Sequence, residues 1–196
     1  AVVTYLVPFS DNCPGATILQ TAGLASGATF PVGTTTNTFK VTDAAGNTAS
    51  CSFTVTVNDI QNPVITCPAN ITVSNTTGQC GAIVTYTAPV GTDNCGGSTT
   101  TQIAGLSSGS FFPAGTTINT FQVTDASGNT ATCSFTVTVV DAQPPTISCP
   151  ANITVNNAAN QCGANVTYTA PVGTDICPGA PTAQVAGLAS GAFFPV

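Results

Sequence analysis

Residues 123–139 read VTDASGNTATCSFTVTV, and within them Cys133-Ser134-Phe135-Thr136-Val137-Thr138-Val139 alternates without a break. Odd positions carry sulfur or hydrocarbon, and even positions carry a hydroxyl. Successive side chains of a β-strand point to opposite faces, so this heptapeptide is a strand with one dry and one wet face. Its β-branched residues favour that backbone. Upstream, Phe121 and Val123 share one face of a second strand. Between the two lies Asp125-Ala126-Ser127-Gly128-Asn129. Gly128 can take positive φ there, and Asp125 can accept local backbone N–H bonds, so the segment is a tight hairpin turn. The dry face of this hairpin requires a second sheet to cover it.

The phrase returns as VTDAAGNTASCSFTVTV at 41–57, 82 residues earlier. The cysteines keep that period: Cys13, Cys95 and Cys177, then Cys51 and Cys133, Cys67 and Cys149, Cys80 and Cys162. So do the acids, all of them aspartates: Asp11, Asp93 and Asp175, then Asp43 and Asp125, Asp59 and Asp141. One slip occurs. Between Tyr5 and Asp11 the first copy is one residue shorter, which fits a loop or strand end. The period divides the chain into the C-terminal part of a module (1–58), a complete module (59–140) and the N-terminal part of a third (141–196). The complete copy reads as about seven short strands with turns between them and no helical stripe, that is, an all-β, immunoglobulin-like sandwich in tandem. Ile71 and Val73 are expected on one inward face, and Val84, Tyr86, Ala88 and Val90 on another. The joints, Asn58–Pro63 and Val140–Pro145, are short and contain proline rather than glycine. They predict modules stacked end to end on semi-rigid, extended connections.

Composition excludes several function classes. The chain has one Lys, no Arg, no His, no Glu and a net charge of −6. No basic face is available for nucleic acid or anionic membrane. No apolar run approaches the roughly 20 residues that span a bilayer, so no membrane insertion is expected in this segment. The absence of Met and of a leader reads as an internal piece of a longer mature protein. Catalysis is not expected, and no catalytic or cofactor-binding residue is assigned. Lys40 becomes Gln122 in the next copy, and the hydroxyls have no base to activate them. Calcium is the one metal to weigh, with Asp59, Asp141, Asp93 and Asp125 as candidate ligands. Each cluster offers a single carboxylate with no Asp-x-Asp run, so turn capping is the expected job of these residues. Asn70, Asn75, Asn152 and Asn165 fit the N-glycosylation pattern.

Four in-phase cysteines per period point to disulfides and an oxidising, extracellular setting. Zinc lacks its usual Cys-x-x-Cys spacing and has no His. Three pairings are possible. A hairpin of the first two strands favours Cys67–Cys80, and a shared pole favours Cys95–Cys133. By period these give Cys13–Cys51 and Cys149–Cys162, with the partner of Cys177 beyond the chain end. The alternative, Cys67–Cys133 with Cys80–Cys95, leaves Cys13, Cys51 and Cys149 without partners and stays open.

Asn62-Pro63-Val64-Ile65-Thr66-Cys67-Pro68, Phe112-Pro113-Ala114-Gly115-Thr116-Thr117, Val123–Asn129 and Cys133–Val139 together resemble the hyalin repeat, or HYR, family. The resemblance covers essentially the whole chain. It implies an immunoglobulin-like fold and a role in cell adhesion or extracellular structure, with no catalytic residues. The form with Cys80 and Asp93-Asn94-Cys95 is similar to arrays in long bacterial surface proteins, including Bacteroidetes gliding-motility adhesins. Two functions are expected to compete. One is a structural stalk or spacer in a cell-surface filament, whose partners are neighbouring modules and other filaments. The other is an adhesive module that contacts glycan or protein through loops around Leu106 and Phe111-Phe112.

Overall fold

A computed structural model describes residues 1–196. Regular structure consists of eleven strands and no helix. In the first copy, β1 (Thr17–Ala22), β2 (Gly33–Thr42) and β3 (Thr48–Val57) form a sheet in that order. The complete copy contributes β4 (Ile71–Ser74), β5 (Gly81–Ile83), β6 (Thr99–Ala104), β7 (Phe111–Pro113), β8 (Gly115–Thr124) and β9 (Thr130–Val140). These make a four-stranded sheet, β4-β9-β8-β6, and a two-stranded sheet, β5-β7. The third copy pairs β10 (Gly163–Asn165) with β11 (Phe193–Pro195). Isolated bridges join Val64 to Thr92 and, one period on, Thr146 to Thr174. By contact, the chain groups into two compact units. One is Ala1–Thr66, Val90–Thr101 and Gln122–Thr132; the other is Cys67–Pro89, Gln102–Phe121 and Cys133–Val196.

The expected hairpin is present. Phe135, Val137 and Val139 of β9 are buried, as are Phe121 and Val123 of β8. Phe112 of β7, at 0% exposure, and Ala82 of β5 join the core. Each fully buried Phe or Val contributes roughly 1.5–3 kcal/mol. Tyr86 closes over the aromatic pair, its ring edge-on to Phe135 at 5.0 Å and to Phe121 at 6.3 Å. In the first copy Tyr5 does the same to Phe53 and Phe39. The wet faces are held by hydroxyls. Thr116 meets Thr138 at 3.1 Å and Thr120 meets Ser134 at 2.9 Å, repeating Thr34–Thr56 and Thr38–Ser52 of the first copy.

β4 lies parallel to β9, with Ile71 opposite Val137 and Val73 opposite Val139. Ile71 and Val73 thus share a face, as expected. Just upstream, the Thr136 N–H donates to Asn70 Oδ1 at 2.9 Å, which carries the register back towards Cys67.

The complete copy has six strands plus the Val64–Thr92 bridge, in line with the about seven short strands expected. One expectation needs correction. Alternation stops after Tyr86: Ala88 and Val90 (78%) are exposed, while Pro89 and Gly91 are buried. Pro89 has no N–H for a ladder. At Gly91 a Cβ would run into Val123, and the Gly91 N–H donates to Thr100 Oγ1, so no strand forms here. The one-residue slip of the first copy falls in the corresponding stretch, which also lacks a strand.

A polar cluster is built into the core. Asn119 is 0% exposed, and its Oδ1 accepts from Leu106 N–H (2.8 Å) and Gln102 Nε2 (3.2 Å). Gln102 Nε2 also donates to the Leu106 carbonyl, as does Tyr86 O–H at 2.6 Å. Gly105 sits between at φ 90°, and any side chain there would strike Asn119. Asn37, Gln20, Leu24, Tyr5 and Gly23 repeat the arrangement. Replacing Asn119 with Ala leaves the part-buried Leu106 N–H unpaired. Denaturant unfolding is expected to show a loss of about 1–3 kcal/mol; an unchanged midpoint would contradict the role given to Asn119.

Candidate functional site

The fold brings together two sets of side chains with chemistry to offer, the cysteines and the residues of the joints. Cys67 is bonded to Cys133, 66 residues on, and Cys80 to Cys177, 97 residues on. Cys13, Cys51, Cys95, Cys149 and Cys162 are unpaired. The expected pairs Cys67–Cys80, Cys95–Cys133, Cys13–Cys51 and Cys149–Cys162 are therefore not formed, and Cys177 finds its partner within the chain. The reason is topological. The first strand of the complete copy does not fold back on the second as a hairpin. It joins the last strand in parallel at an offset of 66, which sets Cys67 beside Cys133. Cys80, at the turn before β5, is thereby left to a partner in the next copy.

That bond belongs to a clasp around the joint. Asn75 N–H donates to the Val140 carbonyl (2.9 Å), and Asn75 Oδ1 accepts from Ala142 N–H (3.0 Å). Gly78 N–H donates to Gln143 Oε1 (3.0 Å). The turn between β4 and β5 thus grips the segment leading into the third copy, and Cys80–Cys177 ties the same turn to that copy. Proline alone suggested a stiff joint; Asn75, Gly78 and Gln143 supply contacts that no local motif announced. Their sequence signal is periodic: Gln143 repeats Gln61, and Asn75 returns as Asn157, whose Nδ2 donates to the Gln161 carbonyl as Asn75 Nδ2 does to that of Gln79.

Of the calcium candidates, the structure brings Asp59 to Asp93, with Cys95 beside them, and Asp141 to Asp175, with Cys177 beside them. Within each trio the potential ligand atoms lie within 4.8 Å of one another. Two carboxylates supply only part of the six to eight oxygens that calcium takes, the rest of which would have to come from carbonyls and water, and sulfur is a poor ligand for it. In the first trio the carboxylates act on the Cys95 thiol. Asp59 accepts from the Cys95 thiol, and this bond, with burial and the nearby charges of Asp59, Asp93 and Asp125, pushes the Cys95 pKa up. Asp93 and Asp175 also cap their own loops, accepting from Cys95 N–H (2.7 Å) and Cys177 N–H (2.9 Å).

Asp125 does not join either trio as a ligand; it closes the β8–β9 turn. Its carboxylate accepts from Ser127 N–H (2.9 Å), Asn129 N–H (2.8 Å) and Asn129 Nδ2 (2.8 Å). Burial opposes its ionisation, but these bonds outweigh burial and hold the carboxyl below its ordinary value. Asn129 reaches on to the Asp59 carbonyl at 3.1 Å, so the turn also fixes the joint ahead of the complete copy. In the third copy an open groove of about 440 Å³ is lined by Ile153, Val155, Val166, Tyr168 and Phe194. The corresponding Ile71 and Val73 are covered by β9, so the groove is an uncovered core face.

Strands, cross-links and joints define a tandem array of disulfide-bearing, all-β modules. The HYR domain model matches residues 1–57, 58–139 and 140–196, and the chain belongs to the HYR-domain family. Among curated proteins it is 38% identical to hyalin of Strongylocentrotus purpuratus over 186 residues, covering 90% of this chain and 15% of that protein. It is 36% identical to hyalin of Lytechinus variegatus over 182 residues, covering 89% and 34%. A mouse protein, the sushi, von Willebrand factor type A, EGF and pentraxin domain-containing protein 1, is 34% identical over 95 residues, covering 48% and 3%. The chain thus spans well under half the length of each of these relatives. All three are metazoan, so the bacterial gliding setting finds no support among them.

The Asp125 turn gives the chain a pH signature. A carboxyl with a depressed native pKa contributes stability above its unfolded value of about 4, and loses it as pH falls through the native value. The melting temperature is expected to be flat from about pH 7 to 5 and to fall below about 4. Asp125→Asn is expected to be less stable at pH 7, and its deficit to shrink at low pH; a deficit that persists at pH 2 would contradict this.

Proposed function

We propose that the chain is a length of spacer from an extracellular, adhesion-related repeat protein, with the modules joined end to end into a semi-rigid stalk. The observation that carries this reading is the joint. Equal 82-residue copies are connected by a segment whose Ala142 and Gln143 are gripped by the preceding copy at Asn75 and Gly78. A spacer needs many equal units and resistance to bending, and these residues serve both. The HYR relationship to hyalins and the disulfides support an extracellular or cell-surface location. On this reading the chain is not an enzyme. Its partners are its neighbouring modules and, laterally, other filaments, rather than nucleic acid. Low charge permits such lateral association, because little repulsion keeps copies apart.

The binding alternative gains less from the proposed loops. Phe112 is fully buried, and the partly exposed Phe111 ring lies over Gly81, where any side chain would collide with it. Leu106 is half-buried and held by Asn119 and Tyr86. A strand of eleven residues such as β9 is about 36 Å long at about 3.3 Å per residue. Electron micrographs of the parent molecule are expected to show a beaded rod with a regular repeat of about 35–45 Å. Specific ligand binding by a two-module fragment would overturn the spacer reading in favour of adhesion.

A further inference from the structure

Two separations account for the state of every cysteine. The bonds Cys67–Cys133 and Cys80–Cys177 span 66 and 97 residues. Shifted by the 82-residue period, the first rule sends Cys51 to a partner 66 residues upstream and Cys149 to one 66 downstream. The second sends Cys13 and Cys95 to partners 97 residues upstream, and Cys162 to one 97 downstream. All five positions fall outside residues 1–196. These are the five cysteines that are unpaired, and the other four are the two bonded pairs.

A second, independent observation concerns Cys95. It occupies the same surroundings as the bonded Cys177, with the linker aspartate Asp59 and the loop aspartate Asp93 in the places of Asp141 and Asp175. The downstream side of the joint ahead of the complete copy therefore carries the same trio as the downstream side of the joint behind it.

We propose that every joint of an array continuing this period carries an inter-module disulfide, from the turn before β5 of one module to the loop after the Val64–Thr92 bridge segment of the next. Each module then holds one internal bond and shares one with each neighbour. Each bond forms as two thiols give up two protons and two electrons to a small disulfide such as oxidised glutathione, which leaves as two thiols. The mechanical consequence is two covalent rails. One runs through the Cys67–Cys133 bond and the sixteen residues from Cys133 to Cys149. The other runs through the Cys80–Cys177 bond and the fifteen residues from Cys177 back to Cys162. At about 3.3–3.6 Å per residue, either rail limits an unfolded period to about 50–60 Å, where 82 free residues would reach about 270–300 Å. A single break in the peptide at a joint leaves the modules tied. This deepens the spacer reading and rests on it for its purpose, though not for its chemistry.

The test uses the full chain, secreted through an oxidising route, with a site-specific protease sequence inserted between Pro144 and Pro145. Free thiols are alkylated, the chain is cleaved, and the products are run in SDS. Without reductant, a single species of uncut mass is expected; with reductant, two fragments. Cys80→Ser should release the fragments without reductant. Mass spectrometry of the tied species should return peptides joined at Cys80 and Cys177, which keeps the test valid if the variant does not fold. Fragments that separate without reductant, or that are tied through other cysteines, would overturn the proposal. The spacer reading is tested apart from it: a ligand bound by a two-module fragment sinks that reading and leaves the cross-link standing, whereas separated fragments from a regular beaded parent do the reverse.

Discussion

The parallel pairing of β4 with β9 is the constraint on which the rest of the structure depends. It fixes the offset of 66 between the start and end of a module, sets Cys67 beside Cys133, and completes the four-stranded sheet. It also brings the turn after β4 to the end of β9, where Asn75 accepts Ala142 and Gly78 meets Gln143. The module therefore closes on itself and grips its exit segment with one and the same strand. A hairpin of the first two strands would have closed the module but left that joint without its clasp.

With four per cent charged residues, the chain holds its wet faces together by hydroxyl pairs rather than ion pairs. Neutral side-chain hydrogen bonds are modest individually, about 0.5–1.5 kcal/mol net, but they are insensitive to salt in a way that surface ion pairs are not. Cross-links supplement a modest core. In the chain-entropy account, closing a loop of 66 residues contributes about 4 kcal/mol, comparable to the net stability of a small domain. A repeat array built this way tolerates changes in ionic strength and draws its robustness from covalent bonds.

The period-2 pattern made much of this legible. Phe121, Val123, Phe135, Val137 and Val139 point inward as their parity requires, and Asp125 closes the turn that its spacing from Gly128 and Asn129 foretells. Asn119 was legible in principle, since it shares the parity of Phe121, but a polar residue at an inward position is easily passed over. Ala88 and Val90 mislead in the opposite sense. Their alternation is strand-like, yet Pro89 and Gly91 turn inward because of backbone needs that side-chain pattern does not encode. The cysteine pairing was not legible. Spacing of 13 residues between Cys67 and Cys80 suits a hairpin as well as two strands that never pair, and only the long-range register tells them apart.

That register holds the module and its joint together, and disulfide mapping of the secreted, alkylated and unreduced chain tests it most directly. Proteolytic peptides joined as Cys67–Cys133 and Cys80–Cys177 are the predicted result. Recovery of Cys67 joined to Cys80 would contradict it, because that bond requires the first two strands to meet and the parallel pairing of β4 with β9 to be absent.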